Sequence, residues 1–87
     1  MRILSSKLET FVAVVESGSF ELASAKLHIT PSAVSLRISA LEAEINAKLL
    51  LRRRPCAMTL QGKALYKYAL RFHELREQML HELADLS

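Results

Sequence analysis

Residues 20–38 read FELASAKLHITPSAVSLRI, and this stretch decides the fold. Apolar residues recur at helical spacing on both sides of His28-Ile29, which predicts two short amphipathic helices joined by a tight turn. Thr30 is a good N-cap, and Pro31 suits the first helical position because its missing N–H would have no partner there. Such a helix-turn-helix can place its second helix in a DNA major groove.

The second of these helices, predicted to run to about Asn46, has two unlike faces. The face expected to meet the core carries Val34, Ile38, Leu41 and Ile45. The opposite face is small or apolar and has no acid before Glu42; it comprises Ser32, Leu36, Ser39 and Ala43, with Ser35 on the flank. Small side chains and serine hydroxyls can approach base edges, and Leu36 can meet a thymine methyl. Packing of this face against another protein is the alternative.

Residues 48–58, KLLLRRRPCAM, hold the densest positive charge in the chain. The segments 49–51 and 57–58 are expected to pair as two short strands, with the arginines in the turn between them. An arginine-tipped β-ribbon is typical of the wing of a winged helix-turn-helix, which can enter a minor groove. We expect Arg53 and Arg54 to contact nucleic acid and Arg52 to pair with Glu42. A solvated loop is the plainer interpretation.

Helices are predicted on both sides of this central region. The spacing of Leu4, Leu8, Phe11, Val12 and Val15 predicts a first helix over about 5–17, which Gly18 ends before Ser19 caps the next helix. A last helix is predicted over about 59–86 with Thr59 as its cap. Its apolar positions repeat in sevens and form a candidate dimer interface of Leu65, Tyr68, Phe72, Leu75, Met79 and Leu86. Glu82 interrupts this seam, and folding back on the chain's own domain is the alternative.

Composition narrows the class of protein. The 87 residues, 51% of them hydrophobic, allow one small domain that gains stability from a partner. The N-terminal apolar run is too short for a signal peptide, no stretch approaches a membrane span, and the single Cys56 suits a reducing cytoplasm. The histidines and Cys56 lack metal-ligand spacing, so no metal or cofactor is expected; the neighbouring arginines could lower the pKa of the Cys56 thiol.

The charge is divided unevenly along the chain. The net charge is +3, but residues 1–72 carry eleven Lys/Arg against five Asp/Glu, whereas residues 73–87 carry one against four. A basic body favours phosphate binding through counterion release, although charge alone discriminates poorly.

Four blocks together carry a family resemblance: LETFVAVVESGSF, LHITPSAVSLRISALE, LLLRRRP and TLQGKAL. In this order they resemble the N-terminal DNA-binding domain of LysR-type transcriptional regulators, and ITPSAVSLRI followed by RRRPCAMT is similar to the branch that controls basic amino acid export. The resemblance implies a dimer through the last helix, tetramers in the full-length protein, and a small-molecule effector bound only in a C-terminal domain that is missing here.

The resemblance also implies the positions that contact DNA. Base-edge contacts fall at Pro31, Ser32, Ser35 and Leu36, and the minor-groove arginine falls at Arg54. Many members carry Gln at the position of Pro31 and Arg, His or Gln at that of Leu36, so base preference cannot be copied from relatives. Pro31 and Leu36 lack the polar groups that those members carry, and Arg37 is expected to replace part of that contact or to bind phosphate. Thr30 completes the expected DNA-binding set.

The sequence therefore predicts a mainly α-helical winged helix-turn-helix with a two-stranded β wing and a long C-terminal linker helix. Residues 1–58 would form the DNA-binding domain and residues 59–87 the linker and dimerisation helix. The expected function is binding of double-stranded DNA by a cytoplasmic homodimer. A winged-helix module that docks a protein on residues 32–39 is the rival, and an enzyme fragment is remote.

Overall fold

The computed structural model describes residues 6–87, which form four helices and one small sheet. The elements, in chain order, are α1 (Ser6–Ser17), α2 (Phe20–Leu27), α3 (Pro31–Ile45), β1 (Leu50–Leu51), β2 (Ala57–Met58) and α4 (Leu60–Asp85). The two strands are antiparallel, with Leu50 opposite Met58 and Leu51 opposite Ala57. The predicted winged helix-turn-helix architecture is confirmed.

The predicted caps set the boundaries of the helices. The Leu22 N–H donates to Ser19 Oγ at 3.0 Å, and the Ala33 N–H donates to Thr30 Oγ1 at 3.1 Å. Each bond satisfies a backbone donor that has no partner inside its helix. His28 ends α2 in the left-handed conformation, with φ 58°. These residues fix the tight turn that places α3 across α2.

A single apolar cluster lies where α1, α2 and α3 meet. Phe11, Val14, Val34 and Ile38 are fully buried in it, and Leu49 closes it from the segment that enters β1. Ala23 is also fully buried, so its small side chain lets the neighbouring helices approach closely. This packing holds α3 on the body by one face and leaves its other face exposed.

Helix α4 starts against the sheet and then runs along α1. The Gly62 N–H donates to Thr59 Oγ1 at 3.0 Å, and the Thr59 hydroxyl donates to the Lys48 carbonyl at 2.6 Å. Farther along, the Tyr66 hydroxyl donates to Glu16 Oε2 at 3.2 Å. Burial and this bond to Glu16 raise the pKa of Tyr66. The start of α4 is thus part of the folded body.

Some sequence expectations need correction. Ile45 was expected in the core but is 43% exposed, because α3 extends past the residues it packs against. Leu4 and residue 5, assigned to the first helix, lie outside the described residues, as does most of the N-terminal run. Within residues 6–87, no helix is both long and apolar enough to cross a membrane.

Candidate nucleic-acid interface

The exposed face of α3 begins at its N-terminus. Thr30, Pro31 and Ser32 are exposed, and the side chain of Leu36 is 71% exposed. The first turn of α3 contains no acid. Of the two acids later in the helix, Glu42 is buried and Glu44 pairs with Lys7 of α1. The exposed surface over residues 31–39 is therefore free of acids and accessible, as the sequence predicted.

Two of the expected DNA-binding residues within α3 also form side-chain hydrogen bonds with other elements of the protein. Ser35 is partly buried, and its Oγ accepts a hydrogen bond from Arg52 Nη1 at 2.6 Å. Arg37 is partly buried and donates from Nη1 to Thr10 Oγ1 of α1 at 3.4 Å. Its guanidinium thus lies on the side of α3 that meets α1 and apart from the face that carries Leu36.

The wing brings Arg53 and Arg54 to the surface beside α2. Arg54 is 82% exposed in its side chain, and its Nη2 lies 2.7 Å from Glu21 Oε1. A backbone hydrogen bond at Glu21 and the charge of Arg54 hold the pKa of Glu21 below its ordinary value. The pair is therefore intact at neutral pH and is lost as the pH falls through that lowered pKa. Sequence reasoning missed this pair, because nothing local links residues 21 and 54.

Unlike Arg53 and Arg54, Arg52 pairs with a buried carboxylate of α3. Its Nη2 lies 3.8 Å from Glu42 Oε1, so the expected ion pair forms. Glu42 Oε2 in turn accepts the backbone N–H of Leu49 at 2.8 Å and that of Leu50 at 3.4 Å. A buried carboxylate on α3 thereby fixes the start of β1, and Arg52 carries the connection out to the turn of the wing.

The pKa of the Cys56 thiol is raised, and the lowering that the neighbouring arginines could have caused is not found. Burial and the charge of Glu21 raise its pKa, and these effects outweigh the opposing influence of Arg52 and Arg54. Its backbone N–H donates to the Gly18 carbonyl at 3.1 Å, which ties β2 to the turn before α2. The part of the chain that the structure describes contains no group of three His, Cys, Asp or Glu residues that could hold a metal ion.

The proposed dimer residues form a stripe along α4 in which most members are exposed. Tyr68 and Phe72 are each 48% exposed, Leu75 is 60% exposed, Leu86 is exposed and Met79 is partly buried. Leu65 instead packs against the core cluster of its own domain. Leu83, which the heptad pattern passed over for Glu82, is 50% exposed and joins the same stripe.

A recognition helix with one exposed face, capped by a tight turn and followed by an arginine-bearing β-ribbon, defines a winged helix-turn-helix. The family model described as "Bacterial regulatory helix-turn-helix protein, lysR family" matches residues 5–63. This match covers more than half of the chain, and the chain therefore belongs to the LysR family. The chain is the helix-turn-helix part of a transcriptional regulator and is not an enzyme.

Individual proteins of similar sequence and structure support the assignment to the LysR family. The HTH-type transcriptional regulator LysG of Mycobacterium tuberculosis is 42% identical over 77 residues, covering 88% of this chain and 25% of that protein. Full-length LysG of Corynebacterium glutamicum, solved with bound effector Arg, superposes with a TM-score of 0.87 at 35% identity, covering 91% of this chain and 27% of that one. The predicted likeness to regulators of basic amino acid export is confirmed.

A third similar structure is the DNA-binding domain of BenM in complex with benA site 1 DNA. It has a TM-score of 0.88 and 36% identity, covering 93% of this chain and 95% of that one. The chain thus corresponds to nearly the whole of an isolated DNA-binding domain. By contrast, it spans about a quarter of the length of the LysG regulators.

Proposed function

We propose that this domain binds double-stranded DNA, with the N-terminal half of α3 in the major groove and the wing in the adjacent minor groove. The observation that carries the proposal is the exposed, acid-free face of residues 31–39 beside the exposed Arg53 and Arg54. A face without carboxylates is not repelled by the phosphates, and its small side chains let the helix come close to the base edges.

The assignment of individual residues follows from their exposure. Thr30, Pro31, Ser32 and Leu36 are exposed on the reading face, and Thr30 also caps α3. Ser35 is partly buried and lies there beside Arg52. Arg53 and Arg54 are proposed to enter the minor groove. Arg54 would then leave its ion pair with Glu21 and contact the DNA instead. Arg37 is proposed at most as a contact from the flank, since it already bonds to Thr10.

Dimerisation is proposed through the stripe on α4. Helix α4 has 26 residues and is therefore about 39 Å long at 1.5 Å per residue. Full burial of a large apolar side chain contributes about 1.5–3 kcal/mol, and covering the half-exposed stripes of two copies would offset the entropy lost on association. We retain residues 1–58 as the DNA-binding unit and 59–87 as the linker and dimerisation helix, with the first turns of α4 packed on that unit.

The remaining proposals concern a regulator that is as long as the LysG relatives. We propose that a small-molecule effector binds outside these 87 residues, in a sensing domain, and that the full-length protein forms tetramers. Regulation of basic amino acid export is the proposed physiological role, supported by the similarity to the lysine export transcriptional regulatory proteins LysG of two Corynebacterium species. A cytoplasmic location is proposed because a bacterial regulator must reach chromosomal DNA.

Arg54→Ala tests the proposed wing contact. Binding to random-sequence duplex DNA should weaken, and the slope of log K against log salt should become shallower by about 0.9 if one phosphate contact is lost. Lys67→Ala, which removes one exposed positive charge from α4, serves as the matched control and should leave the slope unchanged. Equal slopes for wild type and Arg54→Ala would contradict the wing contact.

A further inference from the structure

Arg52 follows directly after β1, and its guanidinium turns back onto α3. Nη1 donates to Ser35 Oγ at 2.6 Å, and Nη2 donates to Ser39 Oγ at 2.8 Å. Nη2 also lies 3.5 Å from the Ser35 carbonyl oxygen. Ser35 and Ser39 are one helical turn apart, so the planar fork of an arginine spans both hydroxyls.

The same guanidinium reaches two further groups. Its Cζ lies 5.2 Å from the centre of the Phe20 ring of α2, within the range of a cation–π contact. Nη2 is 3.8 Å from the buried carboxylate of Glu42. One side chain therefore links α2, α3 and the wing, which are the three elements around the proposed DNA surface.

Exposure separates Arg52 from the neighbouring Arg54. The side chain of Arg52 is 36% exposed, against 82% for Arg54. The Nη atoms of Arg52 point at protein acceptors, and those acceptors lie on the reading helix itself. A phosphate contact by Arg52 would require breaking the bonds to both serines.

We propose that Arg52 is a positioning residue for DNA recognition: it fixes the angle of the wing against α3 and orients the Ser35 hydroxyl toward the DNA. The inference rests on the proposed function. Because Ser35 Oγ accepts from Arg52, its own O–H is left to donate. Ser35 then meets an acceptor on the DNA, such as a phosphate oxygen or a purine N7, and not an amino group.

A double-mutant cycle tests this role with the 87-residue chain and a duplex that the wild-type chain selects from random sequence. Arg52→Lys keeps the charge but loses the fork, so affinity should fall about tenfold. In the Ser35→Ala/Ser39→Ala background the same change should cost less than about twofold, because the two hydroxyls that the arginine fork spans are already gone. Arg76→Lys is the matched control and should stay within about twofold in both backgrounds, since Arg76 lies on α4 and an ammonium group can also pair with its partner Glu77.

Footprinting distinguishes loss of the wing contact from a general loss of stability, because it reports protection in each groove separately. All variants are compared well below their unfolding midpoints, as measured by circular dichroism. Arg52→Lys should lose hydroxyl-radical protection in the minor groove under the wing. It should keep methylation protection in the major groove under α3, except at a purine N7 that the Ser35 hydroxyl contacts. If Arg52→Lys fails to fold, Ser35→Ala/Ser39→Ala should show the same selective loss.

The outcomes separate the inference from the proposed function. Unchanged affinity of a folded Arg52→Lys chain, additive losses in the cycle, or minor-groove protection retained by the variants would overturn the positioning role. Selection of no duplex by the wild-type chain would refute DNA binding itself, and the positioning role would fall with it.

Discussion

Gly62→Ala probes a close backbone approach, where α4 starts against the segment that enters β1. A Cβ at residue 62 would lie 2.1 Å from the carbonyl oxygen of Leu49 and 3.3 Å from the Cβ of Met58. Ordinary van der Waals contact begins near 3.4 Å, so the two backbones must separate by more than 1 Å. The same oxygen accepts the Thr59 N–H at 3.0 Å, and that bond would be strained as well.

The expected loss of stability in Gly62→Ala combines two destabilising contributions and one stabilising contribution. Overpacking costs about 1–3 kcal/mol, and weakening one backbone hydrogen bond costs about 1 kcal/mol. Alanine recovers about 1 kcal/mol over glycine in a helix. The free energy of unfolding should therefore fall by about 2 kcal/mol, which for a domain of this size lowers the unfolding midpoint by about 8–16 °C.

Thermal unfolding followed by circular dichroism at a fixed protein concentration measures the effect of Gly62→Ala. Gln61→Ala, at the exposed neighbouring position, is the matched control and should shift the midpoint by no more than about 2–4 °C, corresponding to about 0.5 kcal/mol. A midpoint for Gly62→Ala that equals or exceeds that of wild type would refute the close approach of α4 to Leu49.

Two further predictions concern α4 and Cys56. Leu75→Glu places a charge within the exposed stripe and should shift the chain toward monomer in sedimentation equilibrium. His81→Glu, about 120° away from Leu75 around the helix, should not. Equal dimer strength in both would exclude the stripe as the interface. The raised pKa of Cys56 means less thiolate at a given pH, so the pH profile of alkylation by iodoacetamide should lie at higher pH in the folded chain than in urea. A profile displaced to lower pH would contradict the burial of that thiol.

The helix-turn-helix could be predicted from sequence because its signals are local. Ser19, Thr30 and Pro31 act within one turn of their own positions, and the apolar spacing identifies the buried face of α2 and of most of α3. The pairing of two short strands around an arginine-rich turn is equally local. These elements agree with the structure to within about a residue at most boundaries.

What the sequence missed depends on contacts between distant segments. A helical wheel placed Ile45 on the core face, but it does not show where the neighbouring elements end. The pairing of Arg54 with Glu21 and that of Arg37 with Thr10 each join residues more than 25 positions apart. A strict seven-residue repeat places Glu82 in the dimer stripe of α4. In a straight α-helix the positions of such a repeat rotate by about 20° per heptad, and Leu83 therefore joins the stripe.

The central claim is that the outward face of α3 lies against DNA, and Leu36→Glu tests it most directly. Leu36 is 71% exposed in a regular helix, so the change should alter the free energy of unfolding by less than about 0.5 kcal/mol. A carboxylate at this position would face phosphates and base acceptors, and affinity for the selected duplex should fall at least about tenfold. A stably folded Leu36→Glu chain that binds the duplex as tightly as wild type would show that this face does not read DNA.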